Sequence, residues 1–195
     1  MSAGEKGVPA RPVSGSFAGN ESSAGRNEQV ISEVVRSVLA QNGIGRAAGN
    51  GLTYRTSNIT LESAELLMKK VEAKAKDMGM KVVTAVADAH GNPVAVRCMD
   101  GAFMGSYDVA LNKTYTAIAF QMSTEALGKL SQPGQPLYGI QYTNGGKIVI
   151  FGGGVPLKVQ DAIIGAFGVS GGTAEQDTYL AHYAEEVFAQ MALGS

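Results

Sequence analysis

Cysteine, histidine and net charge are all scarce in this chain. Its 195 residues include one cysteine and two histidines, and 16 basic residues against 17 acidic ones give a formal net charge of -1. The single cysteine, Cys98, excludes an intramolecular disulfide framework and a site built from several thiolates, and we expect it to be a small buried residue in a strand. The balanced charge excludes the basic surface that nucleic acids or anionic membranes require.

Long apolar runs are also missing. The first thirty residues hold no apolar segment of the kind found in signal peptides, and no later stretch approaches the roughly 20 continuous apolar residues of a membrane span. We therefore expect a soluble cytoplasmic protein with no nucleic-acid partner and no membrane partner. The length suits one well-packed domain, with residues to spare at the N-terminus.

The N-terminal part has the composition of a disordered tail and a linker. Residues 1–26 contain five Gly, five Ser, four Ala and two Pro, with too few large apolar side chains to offset the entropy of ordering the backbone. Residues 42–58 are similarly rich in Gly and Asn and are predicted to form a flexible linker.

Residues 27–41 (NEQVISEVVRSVLAQ) interrupt this pattern with an amphipathic helix. Its apolar stripe consists of Val30, Ile31, Val34, Val35, Val38 and Leu39. An isolated helix of this length is marginal in water, so the stripe needs a partner surface. The helix could pack on its own domain or lie on a membrane, but the long linker disfavours the first, and the absence of aromatic residues, with one Arg against two Glu, disfavours the second. The segment resembles the encapsulation peptides of microcompartment cargo proteins, which implies binding to shell or cargo proteins as a helix in a groove.

The remainder, residues 59–195, is predicted to be one α+β domain. Amphipathic helices are expected from Thr60 to about Met78, from Ser106 to about Gln121, from Ser123 to about Leu130, and after a capping box formed by Thr173 and Gln176. Strands are expected at Lys81–Asp88, Val94–Met99, Lys147–Phe151 and Asp161–Val169. Because the strands come in hairpins, this order favours an antiparallel sheet flanked by helices.

Candidate chemistry is concentrated in one helix and in the glycine-rich loops. Ten of the 34 residues from Gly139 to Gly172 are glycine, and these either line a ligand pocket or make tight turns between crowded strands. In the second helix, Tyr115 could stack on a planar ligand while Lys113 and Thr116 meet its polar edge; alternatively Lys113 is a surface charge and Tyr115 a core residue. We expect His90 and His182 to be solvated, so no catalytic residue is assigned and the metal ligand, if any, stays open.

Five sequence blocks resemble the GlcG/HbpS haem-binding family, which also occurs as the C-terminal domain of PduO-type proteins. They are VVTAVADAHGNPVAVRCMDGA (82–102), DVALNKTYTA (108–117), LSQPGQPLYGI (130–140), TNGGKIVIFGGGVPL (143–157) and GAFGVSGGTAEQD (165–177). The resemblance implies a profilin-like, GlcG-like fold with a five-stranded antiparallel sheet, a homo-oligomer, and binding of haem, or alternatively of a corrinoid, within a bacterial microcompartment.

The residues expected to contact the cofactor follow from these blocks. They are Lys113, Tyr115, Thr116, Asn144, Gly145 and Gly153, with Thr116 matching the threonine of a K-x-[YF]-T motif in the family helix. No histidine precedes His90, whereas some relatives use a histidine near the start of the domain as haem ligand. A Tyr, Met or Thr, or a side chain of a neighbouring subunit, would have to replace it. Two other functions stay open: a cofactor-free assembly protein of the microcompartment, and an enzyme acting on a small aldehyde or hydroxy acid.

Overall fold

The computed structural model describes residues 57–193, in which two pairs of consecutive strands lie between helices. The helices are α1 (Leu61–Asp77), α2 (Ser106–Phe120), α3 (Thr124–Leu130) and α4 (Ala174–Leu193), and the strands are β1 (Val83–Asp88), β2 (Pro93–Cys98), β3 (Gly154–Val159) and β4 (Ala162–Ser170). Two short 3-10 turns, Ile140–Tyr142 and Asn144–Gly146, lie in the loop between α3 and β3. The predicted tail, the amphipathic helix at 27–41 and all but the last two residues of the linker lie outside the described residues.

The four strands form one antiparallel sheet in the order β2-β1-β4-β3. β1 lies between β2 and β4, with Val83 opposite both Cys98 and Ser170. Because side chains alternate along a strand, Val82 and Val86 point to one face of the sheet while Val83 and Ala85 point to the other. The first face packs on α1 and α4 and forms the larger core. The second face packs mainly on α2 and forms a small core.

Two glycines allow α2 to lie close to the sheet. Gly154 of β3 and Gly168 of β4 are cross-strand partners. A Cβ atom at Gly154 would lie 2.7 Å from the Lys113 carbonyl oxygen, and one at Gly168 would collide with the Ala110 carbonyl oxygen. Some of the glycines in this region therefore serve helix-to-sheet packing, a role that neither the pocket nor the tight-turn interpretation of the sequence included.

The prediction of five strands is wrong for the described residues, which contain four. The segment 147–151, predicted to be a strand, pairs with none of these four strands, although Ile148 and Val149 are buried. β3 instead begins at Gly154, three residues after the end of the predicted strand, and includes Pro156. Proline is tolerated there because β3 is an edge strand, where a missing N–H need not break a ladder.

Local end signals behave as the sequence predicted. Thr60 accepts a hydrogen bond from the Ser63 N–H at 3.2 Å at the start of α1. At the start of α4, Thr173 accepts from the Gln176 N–H at 3.3 Å, and the Gln176 side chain accepts from the Thr173 N–H at 2.9 Å, which confirms the capping box.

The prediction that Cys98 is buried is wrong. Cys98 is exposed, because β2 is an edge strand and α2 lies mainly over β4 and β1.

Candidate functional site

The buried side of α2 is unusually polar. Lys113 is fully buried, and its Nζ atom donates hydrogen bonds to Asp177 Oδ2 and to the Val169 carbonyl oxygen, both at 2.7 Å. The other carboxylate oxygen of Asp177 accepts from the Gly172 N–H at 2.9 Å. Burial lowers the pKa of Lys113, and the adjacent Asp177 carboxylate offsets part of this effect. Lys113 is thus neither a surface charge nor a group exposed to a ligand; it links α2, β4 and α4.

Gly153 is required by this ion pair. Its φ of +113° lies in a region that favours glycine. A Cβ atom there would lie 2.5 Å from Lys113 Nζ and 2.7 Å from the Val169 carbonyl oxygen. The structure therefore brings the predicted residues Lys113 and Gly153 together, but in the interior of the domain.

Thr116 is also fully buried and has a connecting role. Its hydroxyl donates to the Asn112 carbonyl oxygen at 2.7 Å and accepts from the Val149 N–H at 3.0 Å. The first bond lies within α2, and the second attaches the unpaired segment 147–151 to that helix. Thr116 therefore fixes the position of Lys147, two residues before Val149, without itself reaching the surface.

The other three predicted residues meet on the surface. Tyr115 is half-buried, and its hydroxyl accepts a hydrogen bond from Asn144 Nδ2 at 3.0 Å. Lys147 Nζ lies 5.6 Å from the centroid of the Tyr115 ring, within the range of a cation–π contact. Asn144 and Gly145 both have positive φ, at 53° and 66°, and both residues are exposed. We call Tyr115, Asn144, Gly145 and Lys147 the Tyr115 surface.

Lys147 was missed by the sequence reasoning. Its motif, TNGGK, marks a turn but does not reveal that the lysine returns over an aromatic ring of α2. Asp177 was missed for the same reason, because its partner Lys113 is 64 residues away in the sequence. Both contacts depend on the tertiary fold rather than on local spacing.

Two grooves lie elsewhere on the domain. One, of about 510 Å³, separates the start of α1 from the end of α4 and is lined mainly by apolar residues that include Ile59, Leu66, Ile164, Phe188 and Met191. The second, of about 450 Å³, separates α3 from the start of α4 beside Phe151 and Gly152. Neither lining includes Tyr115, Thr116 or Asn144.

Groups able to hold a metal ion by themselves are absent from the described part of the chain. No three His, Cys, Asp or Glu side chains among residues 57–193 cluster closely enough to do so. His182 is exposed on α4 and contacts Glu125 at 3.2 Å and Glu185 at 3.5 Å through its two ring nitrogens. His90 is exposed in the turn between β1 and β2. Within the same range of residues, no helix is long and apolar enough to cross a bilayer.

Solved structures resemble this fold, and curated proteins resemble this sequence. The crystal structure of a PduOC–haem complex superimposes with a TM-score of 0.64 and 33% sequence identity, covering 66% of this chain and 94% of that one. An uncharacterized 15.0 kDa protein from the dhaT-dhaS intergenic region of Citrobacter freundii is 45% identical over 139 residues, which are 71% of this chain and 98% of that protein. The corrinoid adenosyltransferase PduO of Salmonella typhimurium is 32% identical over 166 residues, 84% of this chain, but the match spans 48% of that enzyme.

These likenesses define a class of small α+β domain that includes a haem-bound member. Residues 59–186 match the family of haem-degrading HbpS-like proteins, and the chain belongs to that family.

Proposed function

We propose that this protein binds haem on the Tyr115 surface. The observation that carries the proposal is the placement of a lysine ammonium group over a half-buried aromatic ring, 5.6 Å from its centroid, together with an amide donor and an exposed glycine next to that amide in the chain. Haem offers a flat macrocycle and two carboxylates, and this set of groups matches both. The haem-bound relative and the family assignment support the proposal.

Each group has a separate task in this arrangement. The Tyr115 ring provides a flat contact for the macrocycle. Lys147 moves from the ring to pair with a propionate, and the backbone at Gly145 allows close approach because it has no side chain. Thr116, Lys113 and Gly153 hold these elements in position from the interior. Bound haem would supply an iron centre that can take a further ligand or exchange an electron.

Titration of the protein with hemin tests the proposal. We expect a shifted Soret band that saturates at one hemin per chain, and a lower affinity in Lys147→Glu. Lys158→Glu is the matched control, because Lys158 is an exposed lysine on β3 next to Val159, which lines the groove between α1 and α4. An unchanged spectrum with hemin refutes haem binding. If only the Lys158 variant loses affinity for hemin, the ligand lies in the groove between α1 and α4 and not on the Tyr115 surface.

We also propose that residues 27–41 deliver the domain to a microcompartment shell. Support comes from the apolar stripe of this segment and its resemblance to encapsulation peptides. Deleting residues 27–41, or changing Val34 and Val35 to Glu, should abolish co-localisation with shells, whereas Glu33→Gln on the polar side should not. Unchanged co-localisation of the deletion variant would refute the assignment. Shell association without any hemin binding would instead favour the cofactor-free assembly protein.

Self-association is the third element of the proposal. Phe103 and Met104, in the loop before α2, are 73% and 93% exposed, and adjacent exposed apolar side chains commonly mark protein contacts. We expect Met104→Glu to lower the molecular mass measured by light scattering, with Leu193→Glu as the control at another exposed apolar position. Identical masses for the wild type and Met104→Glu would remove this surface from the interface.

A further inference from the structure

The turn between β1 and β2 rests against the Tyr115 ring. Gly91 has a φ of +82°, and a Cβ atom built there would lie 3.7 Å from Cδ2 of Tyr115 and 3.9 Å from Cγ2 of Ile118. The turn and the ring are therefore close to van der Waals contact. His90, the residue before Gly91, is exposed at this turn.

The turn is held rigidly by its own hydrogen bonds. The Asp88 N–H donates to the Asn92 carbonyl oxygen at 2.9 Å, and the Gly91 N–H donates to the Asp88 carbonyl oxygen at 3.0 Å. The Asp88 carboxylate accepts from the backbone N–H groups of His90 at 2.8 Å and Asn92 at 2.9 Å. Burial opposes the charge of Asp88, but the hydrogen bonds from Asn92 and His90 outweigh it and lower the pKa of Asp88. The turn therefore holds the backbone of His90 in a fixed position beside the Tyr115 ring.

Two other side chains of the types that ligate haem iron lie elsewhere in the fold. His182 is exposed on α4, beside Glu125 of α3 and Glu185. Cys98 lies at the other end of β2 from the turn, five residues beyond Pro93, or roughly 17 Å at about 3.4 Å per residue. Histidine, cysteine, methionine and tyrosine are the usual protein ligands of haem iron, so the chemistry of His90 suits the group.

We propose that His90 ligates the iron of a haem that lies against the Tyr115 surface. This inference rests on the haem binding proposed above and adds the ligand that the sequence comparison left open. It places the iron next to the β1–β2 turn, with the macrocycle running toward Lys147.

The two histidines of the chain provide a matched test. Hemin is titrated into the full chain, His90→Ala and His182→Ala, and binding is followed by the Soret band and by electron paramagnetic resonance of the ferric iron. We expect His90→Ala to lose the ligand signature and to bind hemin at least ten-fold more weakly, while His182→Ala matches the wild type. The turn should persist in His90→Ala, because the hydrogen bond to Asp88 comes from the backbone; a thermal melt checks this. Added imidazole should restore the ligand signature in His90→Ala.

The outcomes separate the inference from the proposed function. Hemin binding with the same spectrum in the wild type and His90→Ala overturns the assignment of His90 and leaves haem binding standing. The assignment of His90 is also overturned if His182→Ala, rather than His90→Ala, loses the ligand signature. If hemin does not bind to the wild type, both the inference and the proposed function fail.

Discussion

Replacing Lys113 by methionine should destabilise the domain strongly. The side chains of Lys113 and Asp177 are 0% and 4% exposed, and their ion pair is 2.7 Å long. Methionine retains most of the lysine stem but leaves the Asp177 carboxylate with the Gly172 N–H and no cation. Removing one partner of a buried ion pair costs about 3–5 kcal/mol, so we expect the free energy of unfolding to fall by that amount.

Urea denaturation followed by circular dichroism measures this loss. The double variant Lys113→Met/Asp177→Leu should regain much of the stability, because a buried pair replaced by apolar residues is often neutral. The deficit of Lys113→Met should also depend on pH. Burial disfavours the charged form of a carboxylate that has no cation, so the deficit should shrink on acidification. A deficit below about 1 kcal/mol, or one that grows on acidification, would refute the reasoning.

Three further variants test other parts of the structure. Thr116→Val leaves the buried Val149 N–H without an acceptor and should cost about 1–3 kcal/mol of unfolding free energy, whereas Thr116→Ser should cost less; equal losses would contradict the hydrogen-bond explanation. Burial raises the pKa of Asp88, but hydrogen bonds from Asn92 outweigh this effect and lower the pKa below its ordinary value of 3.8. The charged carboxylate therefore stabilises the fold above pH 3.8. This contribution is lost as the pH falls through the lower pKa of Asp88 in the folded state. Asp88→Asn should therefore flatten the acid limb of a stability–pH curve, and an unchanged limb would exclude this contribution. Gly168→Ala should lower stability by about 1–3 kcal/mol in the same urea assay, because the new methyl group meets the α2 backbone; wild-type stability would show that α2 can shift.

Elements with local signals could be predicted from the sequence. The apolar stripe of α1 and the Thr173–Gln176 capping box involve residues within one or a few helical turns, and the structure has both. The strand after the α3–β3 loop could not be placed, because KIVIF is richer in β-forming residues than GGGVP, yet the strand begins within the glycines, at Gly154. Val149 pairs with Thr116 of α2 instead of a strand, which is a contact across the fold.

The candidate site shows the same division between local and distant contacts. The sequence pointed to α2 and the glycine-rich loops but left the roles of Lys113 and Tyr115 open, and the structure shows that the lysine is fully buried. Its burial depends on Asp177, on the Val169 carbonyl oxygen and on the space left by Gly153, none of which is near it in sequence. Lys147 reaches Tyr115 in the same way, through folding rather than spacing.

Hydrogen–deuterium exchange of the full chain with and without hemin tests the central claim most directly, because it locates the ligand on the domain. We predict added protection in the β1–β2 turn around Gly91, in the exposed turns of α2 around Tyr115, and in residues 143–147. Protection confined to the groove beside Ile59 and Phe188, or to the groove between α3 and α4, would contradict haem binding on the Tyr115 surface.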